Sequence, residues 1–275
     1  MTSSDPSAVP GGGPFLRYAA LGDSQTEGLG DPDGSGGLRG WADRLAEQLA
    51  RQEPRVRYAN LAVRGRLAGQ VRAEQLAPAL ALEPDLATVV AGVNDLLRPS
   101  FDPDAVVGHL EAMFEALTGA GAVVATVTFP DVARITPLAR PLAPRVTALN
   151  DRIRRAAGRH GVIVAETAGP AVVTDPRLWS TDRLHAGPLG HQRIAEAVAQ
   201  ALALPGSGDG WTRPLPPPAV PPAVGWRAVP RELRWAGEFL GPWLGRRLRG
   251  RSSGDARTAK RPGLLPVVVP AGGGA

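Results

Sequence analysis

The sequence predicts an α/β protein in which an open parallel sheet carries helices on both faces. Three observations lead there. Five short apolar runs alternate with segments of helical periodicity between residues 15 and 204, the pattern of repeated strand–helix units. The third run, LATVVA at 86–91, is almost continuously apolar, as a strand buried on both faces requires. Gly and Pro, 34 and 28 of 275 residues, gather at the two ends and between 205 and 230. The middle of the chain is therefore left to build one sizeable core.

The elements follow in order. Residues 1–14 are rich in Gly, Pro and Ser and read as a flexible lead-in. Residues 15–21 form the first strand, stopped by Gly22. Trp41, Leu45 and Leu49 recur at helical spacing and mark a first helix. Residues 56–61 are the second strand, and 67–82 a helix that Pro78 is expected to bend or divide. After the strand at 86–91, residues 103–117 make a helix with Asp102 as N-cap and Pro103 in its first position. A fourth strand spans 122–128. An Arg-rich helix spans 146–160 and is closed by Gly161. Residues 162–165 are a fifth strand and 188–202 the last helix. No internal repeat is present.

Beyond residue 204 the composition changes. Residues 205–229, with PLPPPAVPPAV at 214–224, read as a stiff Pro-rich linker. Residues 230–250 fit a basic amphipathic helix, with Leu233, Ala236, Leu240, Trp243 and Leu244 at helical spacing and a break at Gly241-Pro242. Residues 251–275 read as a disordered tail.

Composition excludes several classes of function. With no Cys, disulfides, thiolate metal sites and cysteine nucleophiles are absent. The N-terminus lacks the positive and apolar regions of a secretion signal, and no run of about 18 apolar residues occurs. A cytoplasmic location is expected. The net charge of +5 is uneven: residues 227–261 hold ten basic side chains against three acidic ones, a net of +7, which leaves about −2 elsewhere. The basic character belongs to the tail. Trp235, Phe239 and Trp243 beside Arg246, Arg247, Arg249 and Arg251 suggest either contact with a membrane surface or packing back onto the main domain. No nucleic-acid motif accompanies the arginines, so no nucleic-acid partner is expected.

In open parallel sheets ligands bind at the carboxyl ends of the strands. Gly22-Asp23-Ser24 follows the first strand; Asn60 and then Gly65 follow the second. Gly92-Val93-Asn94-Asp95 follows the third, and Asp182 and His185 precede the last helix. One rim thus gathers a hydroxyl, an amide, a carboxylate, an imidazole and two glycines. These groups suit acyl transfer. A serine needs an adjacent base, His is suited to that near neutral pH, and a carboxylate holds the imidazole tautomer. Backbone N–H groups and a side-chain amide serve the tetrahedral oxyanion.

Four blocks in this order resemble those of the GDSL/SGNH hydrolases. LGDSQTEG (21–28) resembles the nucleophile block, NLAVRG (60–65) the second, GVND (92–95) the third and DRLHAGPLGHQRIA (182–195) the fifth. The resemblance covers about residues 15–204. It implies a flavodoxin-like three-layer α/β/α sandwich with a five-stranded parallel sheet in the order 2-1-3-4-5, here with a C-terminal extension. It implies Ser24 as nucleophile, His185 as base and Asp182 as its partner. An oxyanion hole would come from the Ser24 and Gly65 backbone N–H groups and the Asn94 side chain. It implies no metal or cofactor, and small carboxylic esters or acylated lipids as substrates, with sugar O-acetyl esters or thioesters as alternatives on the same site. A non-catalytic lipid or membrane-surface binder using the C-terminal basic helix is a separate alternative. Gln25 stands where the family's name has Leu, at a position that varies.

Plainer roles stand beside these. Asp23 reads as a turn or capping carboxylate, and Asp95 as a loop-ordering one. Gly65 also suits a turn that needs positive φ, and Asn94 an Asx-turn. Asp175 precedes Pro176 and reads as a turn. His191, His109 and His160 fall in helices or at a helix end and read as structural. The four histidines lack metal-ligand spacing. The glycines between 28 and 37 lack a phosphate-loop signature and read as a loop at the rim. Residues 129–144 suit a lid or acyl-pocket wall, or a long connection.

Overall fold

The computed structural model describes residues 14–217 and 254–270, with the isolated positions 234, 237 and 238. The central sheet has six strands: β1 (Arg17–Gly22), β2 (Arg57–Asn60), β3 (Leu86–Val90), β4 (Val123–Val127), β5 (Ile163–Ala165) and β6 (Arg261–Pro266). Their order is β5-β4-β3-β1-β2-β6. The first five are parallel, in the order expected, and β6 adds an antiparallel edge on β2.

Eight α-helices alternate with the strands among the described residues. They are α1 (Ser24–Glu27), α2 (Gly40–Gln52), α3 (Ala68–Ala81), α4 (Val93–Leu96), α5 (Pro103–Gly119), α6 (Val132–Ile135), α7 (Ala143–His160) and α8 (Pro188–Ala201). Helices α2 and α8 pack together on one face, while α3, α5 and α7 cover the other. The core between these layers holds Tyr18, Leu21, Trp41, Leu45, Leu86 and Phe114, all fully buried. The local signals behave as their chemistry dictates. The Asp102 carboxylate caps α5 by accepting from the Asp104 and Ala105 N–H groups at 2.9 and 3.3 Å. Gly161 ends α7 at φ 64°. Pro78 sits inside α3 without dividing it. Among the described residues no helix is long and apolar enough to cross a membrane.

Two expectations about the C-terminal part are corrected. Residues 205–217 do not begin as a free linker: a 3₁₀ turn at Asp209–Thr212 buries Trp211 against α8, and the Trp211 indole donates to Gln200. Residues 254–270 are not a disordered tail. They carry β6, paired with Tyr58 opposite Leu265 and Asn60 opposite Arg261. Proline-rich composition suggested disorder, yet an edge strand tolerates proline because its outward N–H groups need no partner. Side chains fix the register. The Arg261 guanidinium lies 5.4 Å from the Tyr58 ring centre and donates to the Tyr58 carbonyl at 2.7 Å. Tyr58 in turn stacks on Tyr18 at 5.0 Å. The basic helix expected over 230–250 and the remaining linker and tail lie essentially outside the described residues.

Lys260, the only lysine in the chain, anchors the segment. Its Nζ donates to the Leu38 and Arg39 carbonyls at 2.8 and 3.0 Å and pairs with Asp43 Oδ2 at 2.6 Å. Burial pushes the Asp43 carboxyl up to about 6 despite Lys260's opposing pull. Replacing Lys260 by Met leaves that carboxylate and two carbonyls without their donor. The expected loss is about 2–4 kcal/mol, read as a lower urea midpoint for Lys260→Met. An unchanged midpoint would mean that the C-terminal strand does not support the domain.

Candidate active site

The site forms where β1 ends. Gly22 lies against Thr26 and the Val90 carbonyl, with no room for a side chain. The Gln75 carboxamide secures its peptide groups, accepting from the Gly22 N–H at 2.8 Å and donating to its carbonyl at 2.9 Å. Asp23 then caps α1 through the Gln25 N–H at 3.2 Å, and Gly28 ends the helix at φ 101°. Ser24 is thereby held at the carboxyl rim of the sheet on a single helical turn.

Residues 180–187 bring up the opposing groups. The Ser180 N–H donates to the His185 carbonyl at 2.8 Å, and Trp179 bridges to Ala186. Arg183 takes a left-handed φ of 57°. This tight turn lets Asp182 Oδ1 accept the Leu184 and His185 N–H groups at 2.9 and 3.0 Å and the Ser180 hydroxyl at 2.5 Å. Asp182 Oδ2 lies 2.6 Å from His185 Nδ1, and His185 Nε2 lies 2.9 Å from Ser24 Oγ. Burial pushes the Asp182 carboxyl up, but the His185 hydrogen bond and charge and the other donors outweigh it and hold the group well below the usual range. Asp182 therefore stays ionised and sets Nδ1 as the protonated ring nitrogen, leaving Nε2 facing the serine.

The residues expected to bind an oxyanion sit on segments tied to one another. Asn94 Nδ2 donates to Asp23 Oδ2 and to the Arg66 carbonyl, both at 3.1 Å. Gly65 has φ 76°. Its neighbour Arg64 donates its N–H to Glu27 Oε2 at 2.7 Å and forms a guanidinium pair with the same largely buried carboxylate. The loop of Gly65 is thus bound on one side to the Ser24 helix and on the other to Asn94.

Other residues singled out from the sequence turn elsewhere. The Asn60 side chain points inward, donating to the Thr26 carbonyl and the Tyr58 hydroxyl, both at 2.8 Å. Asp95 orders its loop by accepting from the Ala68 N–H at 3.0 Å. Asp175 caps the short turn at Pro176–Leu178 and pairs with Arg177. His160 contacts Glu111 at 3.0 Å. His191 is fully buried beneath the rim: its Nδ1 accepts the Trp41 N–H at 3.1 Å, and its Nε2 lies 2.8 Å from the Leu29 carbonyl. Burial pulls His191 down to about 4, so it works as a neutral strut. Gly30 in the glycine-rich loop packs against the Ala186 carbonyl beside His185, where a side chain would overlap. Residues 129–144 hold α6 and a 3₁₀ turn at Pro137–Leu142. Among the described residues no cluster of three or more metal-ligating side chains occurs.

Sequence reasoning noted Gln25 but assigned it no role, and it missed Ser180 and the Glu27–Arg64 pair. Glu27 and Arg64 stand as opposite charges within the first two blocks, which was the one available sign of their pairing.

The comparisons with known proteins bear on the family and the fold. Residues 20–193 match the family model of the GDSL-like lipase/acylhydrolase family. No curated protein matches the chain. Among solved structures, LAE5, an alpha/beta hydrolase from the metagenome of Lake Arreo, Spain, is similar over 68% of this chain and 95% of its own, at 22% identity and TM-score 0.58. The psychrotrophic esterase EstA from Pseudoalteromonas sp. is similar over 68% and 96%, at 17% identity and TM-score 0.54. Axe2, an acetylxylan esterase from Geobacillus stearothermophilus, is similar over 72% and 96%, at 16% identity and TM-score 0.57. At such identities these likenesses concern the fold.

Burial, opposed by the Gln25 and Asn94 hydrogen bonds, pushes Asp23 from 3.8 up to about 7. The folded state holds a proton there that the unfolded chain releases. Asp23 thus favours folding below about pH 4, and that contribution is lost as pH rises to about 7. Asp23→Asn is expected to gain stability relative to wild type over that window, on the order of 2–4 kcal/mol. Urea unfolding at pH 5 and pH 8 reads the difference; one that stays constant with pH would refute the shift.

Proposed function

The chain belongs to the GDSL-like lipase/acylhydrolase family, and from that premise we propose that it cleaves carboxylic esters through an acyl-enzyme formed on Ser24. The family makes it a carboxylic ester hydrolase. What supports the finer reading is one observation: the unbroken chain of contacts Asp182–His185–Ser24, at 2.6 and 2.9 Å, at the carboxyl rim of the sheet.

In this mechanism His185 Nε2 takes the Ser24 proton as Oγ attacks the ester carbonyl. Asp182 orients the ring and stabilises the imidazolium. The Ser24 and Gly65 backbone N–H groups and the Asn94 amide receive the charge that develops on the carbonyl oxygen. Collapse of the tetrahedral intermediate expels the alcohol, protonated by His185. Water then attacks the acyl-enzyme with His185 again as base, and Ser24 is released. For Asn94 the donation requires exchange of at least one resting acceptor, Asp23 or the Arg66 carbonyl. The bonds that place it are therefore also bonds it gives up as charge develops.

Small or lipid-like carboxylic esters are the proposed substrates. The fold likeness to an acetylxylan esterase supports sugar O-acetyl esters as a second class open to the same chemistry.

A panel of p-nitrophenyl esters from acetyl to palmitoyl tests the reading. Wild type is expected to turn over part of the panel and Ser24→Ala none of it. Asn94→Ala is expected to lose about 10²–10³ in kcat. Full turnover by Ser24→Ala would overturn the mechanism.

A further inference from the structure

Ser24 and His185 sit on elements 161 residues apart, and their contact needs more than the packing of the two. The two peptide groups that flank His185 show what supplies it. Asp182 accepts the His185 N–H at 3.0 Å, and the Ser180 N–H donates to the His185 carbonyl. The other half of each peptide group turns toward Gln25. Gln25 Nε2 donates to the Leu184 carbonyl at 2.9 Å, and Gln25 Oε1 accepts the Ala186 N–H at 3.3 Å. One carboxamide thus grips the backbone on both sides of the imidazole.

Gln25 is well placed to do this. It follows Ser24 directly on α1, and its own N–H is held by the Asp23 carboxylate. The side chain is half-buried, and a carboxamide carries a donor and an acceptor side by side. That matches a carbonyl followed by an N–H two residues on. A leucine of similar bulk has neither, and a methionine offers only a weakly accepting thioether.

We infer that Gln25 is a positioning residue: through its two-point clamp on the Leu184 carbonyl and the Ala186 N–H it sets the distance and angle between Ser24 Oγ and His185 Nε2. The inference rests on the nucleophile–base reading above. Its expected consequence is a loss confined to the chemical step. A displacement of about 1 Å between reacting groups can cost 10²-fold in rate, while substrate contacts elsewhere are unaffected.

The test uses the full chain with Gln25→Met, Gln25→Leu and Ser24→Ala alongside wild type. On the best ester of the panel, both Gln25 variants are expected to lose at least 10-fold in kcat with KM within about twofold. The rate of Ser24 phosphonylation by a p-nitrophenyl phosphonate, followed by mass, is expected to fall in parallel. Thermal unfolding identifies the folded variants. If neither apolar variant folds, Gln25→Glu takes their place; it keeps the acceptor for Ala186 but sets an oxygen against the Leu184 carbonyl, and the same loss in kcat is expected. Wild-type kcat and labelling rate in a folded variant would overturn the inference, as would a change in KM alone. Activity retained by Ser24→Ala would instead remove the reading on which the inference rests, and the two failures are thereby distinguished.

Discussion

A single contact, 2.9 Å between Ser24 Oγ and His185 Nε2, sets the terms for the rest of the rim. The two side chains are 161 residues apart in sequence, one from the turn after the central strand β1 and one from the loop before α8. Neither loop is rigid by secondary structure alone. Each is therefore held by polar contacts whose partners lie in the other or beneath it. Gly30 backs onto Ala186, the neutral His191 braces the Leu29 and Trp41 backbone from below, and Gln25 grips the peptides around the base. Buried polar groups demand partners. Here that demand aligns two distant segments.

The same logic holds the opposite side of the serine. Asp23 connects the turn of Ser24 to Asn94, Asn94 to the Arg66 carbonyl, and Arg64 back to Glu27 on the serine's own helix. These links close a ring around the glycine between Arg64 and Arg66. The ring carries two acidic groups in largely buried positions. Glu27 is matched by Arg64, whereas Asp23 has only neutral donors bonded to it and is pushed up toward neutrality. Beneath this ring, β2 is not the sheet's free edge. Lys260 and Arg261 draw a returning strand onto it, and Gly254 approaches the Arg64 carbonyl closely.

Much of this was legible in the sequence, and the reason is periodicity. The strand cores of β1 and β3 and the helical stripe of Trp41, Leu45 and Leu49 bury apolar groups at spacings set by local geometry. Gly22, Asp102 and Gly161 mark boundaries through backbone chemistry that belongs to one residue. Ser24, Asn94, Asp182 and His185 stood out because each follows or precedes such an element. What escaped depends on pairing over distance. Gln25 gains its partners from residues 184 and 186, and β6 finds its partner some 200 residues earlier. Neither contact leaves a local trace. The prolines of β6 even argued against a strand, because composition cannot tell an edge from a tail.

Covalent capture separates an acyl-enzyme route from direct attack by water. Wild type quenched with acid during turnover of a slowly deacylated ester can be digested and weighed. An acyl group on the peptide carrying Ser24, absent from Ser24→Ala, is the expected result. Continued turnover with no adduct on that peptide, or an adduct on another residue, would contradict Ser24 as the nucleophile.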